Sequence, residues 1–194
     1  MKLSIDLAVE SPQAWVDAVM NDFDRFLQDH ADCERKASGM AMSLVAKYPN
    51  RTEIIPELIE TAVEELEHFQ DVYKIMESRG VQLRDKMDPD PYIKALFKTM
   101  GNGIEQRFMD RLLLASIVEC RGAERFRLIY EAFEEGELKK FYHRLWASEA
   151  KHGNIFVKMA LNYFPEIEVY ERLDYFVEKE AEIIPTLEIR PALH

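Results

Sequence analysis

Four segments of this chain space apolar residues at steps of three and four, and each breaks its own pattern near the middle with a glutamate. The first stripe runs Leu27, Ala31, Glu34, Ala37, Ala41, Leu44, Tyr48, and the second Leu58, Ala62, Glu65, His68, Val72, Ile75. The third runs Leu112, Ala115, Glu119, Gly122, Phe126, Ile129, and the fourth Leu138, Phe141, Leu145, Glu149, His152, Phe156, Met159. Such spacing makes amphipathic helices whose apolar faces turn into a core. A carboxylate on that face is costly, because an unpaired buried charge costs several kcal/mol even after relaxation. Four like charges also repel unless protons or cations neutralise them. No lysine or arginine falls on these stripes. Two divalent cations balance four carboxylates, and the added histidines suit iron, manganese or zinc better than calcium or magnesium.

The spacing agrees with a metal reading. Glu65-Leu66-Glu67-His68 and Glu149-Ala150-Lys151-His152 are both E-x-x-H. At i and i+3, two helical side chains lie about 60° apart around the axis and ~4.5 Å apart along it, so both reach one ion. Glu34 precedes Glu65 by 31 residues, and Glu119 precedes Glu149 by 30. The pattern is therefore two halves, each one lone glutamate plus one E-x-x-H pair. With 24 Glu and 5 His in 194 positions, chance alone yields ~0.6 E-x-x-H matches. One match carries no weight. Two on apolar stripes, each one helix away from a lone core glutamate, carry a great deal. The competing reading at this point is surface glutamates in salt bridges on helices of different phase. Glu64, Glu67 and Lys151 lie about 100° off the stripes and read as solvated.

Punctuation along the chain gives the architecture. Ser11-Pro12 reads as a helix start, and a helical pattern with a break near residue 21 continues to Tyr48. Thr52 reads as the cap of a second helix, with Pro56 near its first turn and a stop at Arg79-Gly80. Residues 81–103 form a long connection holding a short helix after Asp90-Pro91 and a turn at Gly101-Asn102-Gly103. A third long helix spans about 104–133, and Glu134-Glu135-Gly136 turns into a fourth that Pro165 stops. An acidic helix over 166–182 and a tail with Pro185 and Pro191 follow. The expectation is an all-α chain, two helical hairpins joined by one long crossover, which is the ferritin-like four-helix bundle. It would be a single domain over 1–194, with its bundle at about 21–164 and a C-terminal helical extension at 166–194.

Composition excludes other classes. Two cysteines are neither a disulfide framework nor a four-thiolate metal site, and Cys33 and Cys120 read as small buried groups. The longest apolar runs, such as Leu112–Ala115, fall far short of the roughly 20 residues of a membrane span. Asp6 and Glu10 argue against a secretory leader, so a cytoplasmic protein is expected. The net charge of −11 argues against coating nucleic acid by overall charge. That charge is uneven. Residues 166–188 hold eight acids against two bases, while residues 79–98 carry Arg79, Arg84, Lys86, Lys94 and Lys98. Gly101-Asn102-Gly103 lacks the third glycine and preceding strand of a dinucleotide motif, and there is no phosphate-binding loop. His30 reads as a satisfied helix histidine, with a place behind Glu34 as the other reading. His143 and His194 read as surface residues, and Tyr48, Tyr142 and Tyr163 as packing.

The E…E-x-x-H…E…E-x-x-H order resembles the ferritin-like di-iron carboxylate proteins. A finer resemblance, to the MiaE-type tRNA 2-methylthio-isopentenyl-adenosine hydroxylases, rests on four stretches. These are His30–Ala37, Glu64–Phe69 continuing to Arg79-Gly80, Ile117–Phe126, and Phe141 through His152. The elements E-x-R-x-x-E-R-F (Glu119–Phe126) and E-E-x-x-H-F are more specific than the ligands alone. The resemblance implies a di-iron monooxygenase that hydroxylates the isopentenyl side chain of a hypermodified adenosine beside the tRNA anticodon. It would use dioxygen and two electrons from a ferredoxin or flavoprotein reductase. It implies that Glu34, Glu65, His68, Glu119, Glu149 and His152 hold two iron ions. The tRNA would meet a basic surface, either the 79–98 cluster or Lys139, Lys140 and Arg144. The alternatives are a bacterioferritin- or rubrerythrin-like iron or peroxide handler, a demethoxyubiquinone-hydroxylase-like monooxygenase, and a bundle with structural metals.

Overall fold

The structure is a computed structural model that describes residues 5–86 and 89–194. The portions of the expected single domain and of the 81–103 connection that fall on residues 1–4 and 87–88 lie outside the described residues. Among the described residues there are only helices and connections: α1 (Gln13–Asn21), α2 (Phe23–Lys47), a 3-10 turn (Thr52–Ile54), α3 (Ile55–Arg79), α4 (Pro91–Phe97), α5 (Ile104–Ala132), α6 (Glu137–Leu161), α7 (Glu166–Ile183) and a second 3-10 turn (Ile184–Thr186). The expected break near residue 21 is real. Asp22 separates α1 from α2, and its carboxylate accepts from the Arg25 amide at 3.3 Å. Thr52 does not cap α3; it opens the 3-10 turn that leads into it. Ser11 is drawn elsewhere, its amide and hydroxyl both donating to Glu124 at 2.8 Å.

The chain divides into two compact units. One contains residues 17–89 and 190–193, and its frame is the α2–α3 hairpin. Phe26, Leu27, His30, Ala31, Glu34, Ala41 and Leu44 make the buried stripe of α2. Leu58, Ala62, Glu65, Val72 and Met76 make that of α3. Gly80 ends α3 with φ 71°, a left-handed conformation that costs glycine nothing. The hairpin is pinned near its middle and at its open end. Ser38 Oγ donates to the Ala62 carbonyl at 2.7 Å. Arg79 Nε donates to Asp24 at 2.7 Å, and its guanidinium sits over the Phe23 ring.

The other unit contains residues 1–16, 90–189 and 194. Asp90 caps α4 as expected, accepting from the Ile93 amide at 2.9 Å. Helix α5 is buried nearly all round. Leu112 through Ile117 are consecutively buried, and so are Arg121 and Arg125. It packs mainly against α6 and also meets α7 and α4. The acidic segment is α7, whose buried face is Val169, Leu173, Phe176 and Glu180. Glu180 is paired: Arg121 Nε and Nη2 donate to its two oxygens at 2.7 and 3.0 Å, and Tyr92 Oη donates at 3.2 Å. Arg172 makes a second bidentate tie, reaching both oxygens of buried Asp110 at 2.8 Å. Planar guanidinium–carboxylate forks of this kind fix geometry as well as charge.

Candidate metal centre

The α2–α3 unit brings three of the sequence-identified residues together. Glu34 stands mid-way along α2, and Glu65 and His68 one turn apart on α3. One ligand atom from each lies within 4.8 Å of the others. Nδ1 of His68 is 3.5 Å from Glu65 Oε2 and 3.8 Å from Glu34 Oε2. Glu34 and Glu65 are buried, and His68 is only slightly exposed. Behind Glu34 stands His30, also buried, with Nε2 2.7 Å from Glu34 Oε1. Of the two readings of His30, the structure places it against the glutamate.

The α5–α6 unit repeats the arrangement. Glu119 on α5 and Glu149 and His152 on α6 again offer atoms within 4.8 Å of one another. Nδ1 of His152 is 3.4 Å from Glu149 Oε2. All three residues are buried. A close helix approach brings them together. Gly153 follows His152, and the Ser116 hydroxyl donates to the Gly153 carbonyl. A Cβ at Gly153 would stand 2.5 Å from Cys120 Sγ. Glycine there lets α6 come near enough to α5 for the three ligands to converge.

Each trio fits a divalent first-row ion by the chemistry of its donors: two carboxylates and one imidazole, on helix backbones that fix their spacing. Donors about 2.1 Å from one ion stand ~3–3.4 Å apart at octahedral to tetrahedral angles. The His–Glu separations of 3.4 and 3.5 Å are of that size, and longer than a good hydrogen bond. Cys120, next to Glu119, adds no thiolate. Burial pushes its thiol up to about 12, so it stays protonated. Both cysteines are half-buried, less than expected, and Cys33 leans on Asp29. Glu67 and Lys151 are exposed as expected, while Glu64 is half-buried.

His143 is exposed as expected, in ring contact with Tyr130 and Trp146, while the expectation for the other peripheral histidine changes. His194 is not a surface side chain: its ring stacks on Tyr92 at 5.3 Å, and burial pulls its pKa down to about 4. The E-x-R-x-x-E-R-F element divides between two roles. Glu119 joins the ligand trio. Arg121, Glu124 and Arg125 build a buried polar cluster with Glu180, Ser11 and the Val9 carbonyl, and Arg125 also covers the Trp15 ring. One stripe per helix cannot find such a cluster; Arg121 and Arg125, one turn apart just after the largely apolar run Leu112–Val118, are the signal that could have.

A family model described as tRNA-(MS[2]IO[6]A)-hydroxylase (MiaE) matches residues 3–194. The chain belongs to this family. A curated MiaE-family relative from Pseudomonas putida, a tRNA 2-(methylsulfanyl)-N(6)-isopentenyladenosine(37) hydroxylase, is 34% identical over 186 residues, 95% of this chain and 90% of the relative. One of the same name from Salmonella typhimurium is 25% identical over 223 residues, 90% of this chain and 82% of the relative. A solved structure, protein 43 with aldehyde deformylating oxygenase activity from Synechococcus, matches with TM-score 0.90 and 31% identity over 97% of this chain and 94% of that one. The all-α, ferritin-like class read from the sequence stands on this likeness. Among the described residues no helix is long and apolar enough to cross a membrane. Of the basic residues considered for tRNA, Arg79 is occupied by Asp24 and Lys140 by Glu137. Lys94, Lys98 and Arg144 are exposed.

Proposed function

We propose that the two trios close on one pair of iron ions, with residues 1–194 acting as a single ferritin-like di-iron domain. The chain is then a monooxygenase that hydroxylates the isopentenyl side chain of 2-methylthio-isopentenyl-adenosine in tRNA. The observation that carries the reading is the duplication: each unit buries one lone glutamate against an E-x-x-H pair, with donor atoms within 4.8 Å. Membership of the MiaE family and the names of its relatives supply the substrate. Glu34, Glu65, His68, Glu119, Glu149 and His152 would hold the ions, their four negative charges offsetting two divalent cations. When bound, the iron pair supplies the activation of dioxygen. The reaction consumes one dioxygen, two electrons and two protons, and yields the alcohol and one water. The electrons come from an external ferredoxin or flavoprotein reductase. The protein's part is to orient the carboxylates and shield the site so that oxidising power is not lost to solvent. The expected location is the cytoplasm, where tRNA is modified.

The test is anaerobic loading with ferrous iron, followed by turnover on isopentenylated, methylthiolated tRNA with a chemical reductant. Two irons per chain and dioxygen-dependent formation of the hydroxylated nucleoside are expected. A chain that binds two irons yet leaves that tRNA unchanged refutes the substrate; a chain that binds none refutes the site. The likeness to a protein with aldehyde deformylating oxygenase activity favours a second reading, in which the same site takes an aldehyde. Hydrocarbon release from an added aldehyde, with no tRNA product, would select it.

A further inference from the structure

The Glu34 half-site contains a group that the ligand repeat does not require. His30 lies one turn before Glu34 on α2, is fully buried, and places Nε2 2.7 Å from Glu34 Oε1. The Phe26 ring, a further turn back and also fully buried, packs against the His30 ring at 5.6 Å and fixes its plane. The second oxygen of Glu34 faces the other way, 3.8 Å from Nδ1 of His68. The two oxygens of one carboxylate thus have different neighbours: Oε1 the His30 ring, Oε2 the other donors of the trio. The opposite half has other residues at the matching positions. Four residues before Glu119 stands Ala115, and three before it Ser116, whose hydroxyl goes to the Gly153 carbonyl. The halves match in their ligands and differ in the residue one turn before the lone glutamate.

We propose that His30 is a positioning residue for Glu34 and that it makes the two metal positions unequal. By donating its Nε2–H to Oε1, His30 holds the carboxylate so that Oε2 alone is presented to an ion. Glu34 is then a one-oxygen ligand in a fixed orientation, since turning the carboxylate to offer both oxygens would break a short charge-assisted hydrogen bond away from water. Ala115, at the matching position of α5, has no side-chain donor to act on Glu119 in this way. Hydrogen-bond partners behind metal ligands typically change affinity about 10- to 100-fold, and here that change falls on one ion of the two. The inference rests on the di-iron reading of the site.

The experiment titrates the full-length metal-free protein with Co2+ under nitrogen, following visible absorption and stoichiometry. The proteins are the wild type, His30→Gln, which keeps a donor at the Nε2 position, and His30→Met, which fills the space without one. The wild type should take two ions. His30→Met should take one with unchanged affinity and the other about 10- to 100-fold more weakly, and His30→Gln should recover most of the loss. Equal weakening of both ions, or none, in a His30→Met protein with unaltered helical circular dichroism overturns the proposal. A measurement on the wild type decides the matter if that variant does not fold. In 15N-histidine-labelled protein loaded with Zn2+, His30 Nε2 should carry its proton. A bare Nε2, or 113Cd coupling to it after Cd2+ loading, would make His30 a direct ligand and overturn the proposal. A wild type that takes up no ion overturns the di-iron reading itself, whereas two ions indifferent to His30→Met overturn this inference alone.

Discussion

Gly153→Ala tests whether the close approach of α5 and α6 is what assembles the second trio. The added Cβ would sit 2.5 Å from Cys120 Sγ, while the next nearest atom, the Ser116 carbonyl oxygen, is at 3.6 Å and in ordinary contact. Non-bonded heavy atoms prefer separations of about 3.5–4.0 Å, so either the thiol or the helix must yield by ~1 Å. Overpacking of this kind costs about 1–3 kcal/mol. Against it stands the helix propensity of alanine over glycine, worth ~1 kcal/mol. The net expectation is a destabilisation of ~0–2 kcal/mol, which at this chain length lowers Tm by a few degrees. Removing the obstacle should reverse the sign of the alanine effect. In a Cys120→Ala background the same Gly153→Ala change should stabilise by up to ~1 kcal/mol. The cycle should therefore show a coupling of ~1–3 kcal/mol between neighbouring sites. Thermal unfolding by circular dichroism of the four metal-free proteins reads the coupling, and a ferrous-iron titration reads the site. Gly153→Ala alone should weaken iron binding, because His152 is the adjacent residue and moves with it. Additive effects, or a Gly153→Ala protein that melts higher and binds iron as before, would refute the argument.

Three further outcomes follow from other contacts. Glu180→Ala removes two hydrogen bonds from the buried Arg121 guanidinium, leaving Glu124 as its carboxylate partner, and should cost about 1–3 kcal/mol in urea unfolding, whereas the double replacement Arg121→Met/Glu180→Leu should cost less. His194 has a folded-state pKa pulled down to about 4 from the ordinary 6.5. The unfolded chain therefore binds the proton first, and stability present above pH 6.5 is lost as pH falls toward 4, by at most ~3 kcal/mol. His194→Phe keeps a ring on Tyr92 without titrating, so its melting temperature should fall less steeply than that of the wild type across that window. Glu65→Ala should reduce iron below two per chain and abolish hydroxylation of tRNA, with its helical content retained; full iron occupancy by elemental analysis would remove Glu65 from the ligand set.

The parts that were legible in the sequence share one physical origin. A glutamate on an apolar helical stripe is an anomaly visible without any neighbour, because period and burial cost are properties of a single helix. Hence Glu34, Glu65, Glu119 and Glu149 could be singled out before any packing was known, and the structure brings each unit's trio together. Helix ends with their own chemistry were equally readable: the left-handed stop at Gly80 and the cap at Asp90 are local devices. What stayed hidden needs a second element to supply its meaning. Arg121 and Arg125 sit on a helix buried on more than one side, where following one stripe sees only one face. Glu180, the partner of Arg121, lies 59 residues away inside the acidic helix. His194 reads as a surface residue until Tyr92 is placed beneath it. Gly153 looks like a helix-weakening residue until Cys120 and Ser116 are set against it. His30 is the intermediate case, since its spacing to Glu34 was visible, but only side-chain placement shows its nitrogen against one carboxylate oxygen. Ligand identity is thus written in single helices. The restraints that would set each ligand's angle and each ion's affinity are written between helices, and the hydrogen bonds behind Glu34 and beside His152 are where substitution should change metal chemistry without touching a ligand.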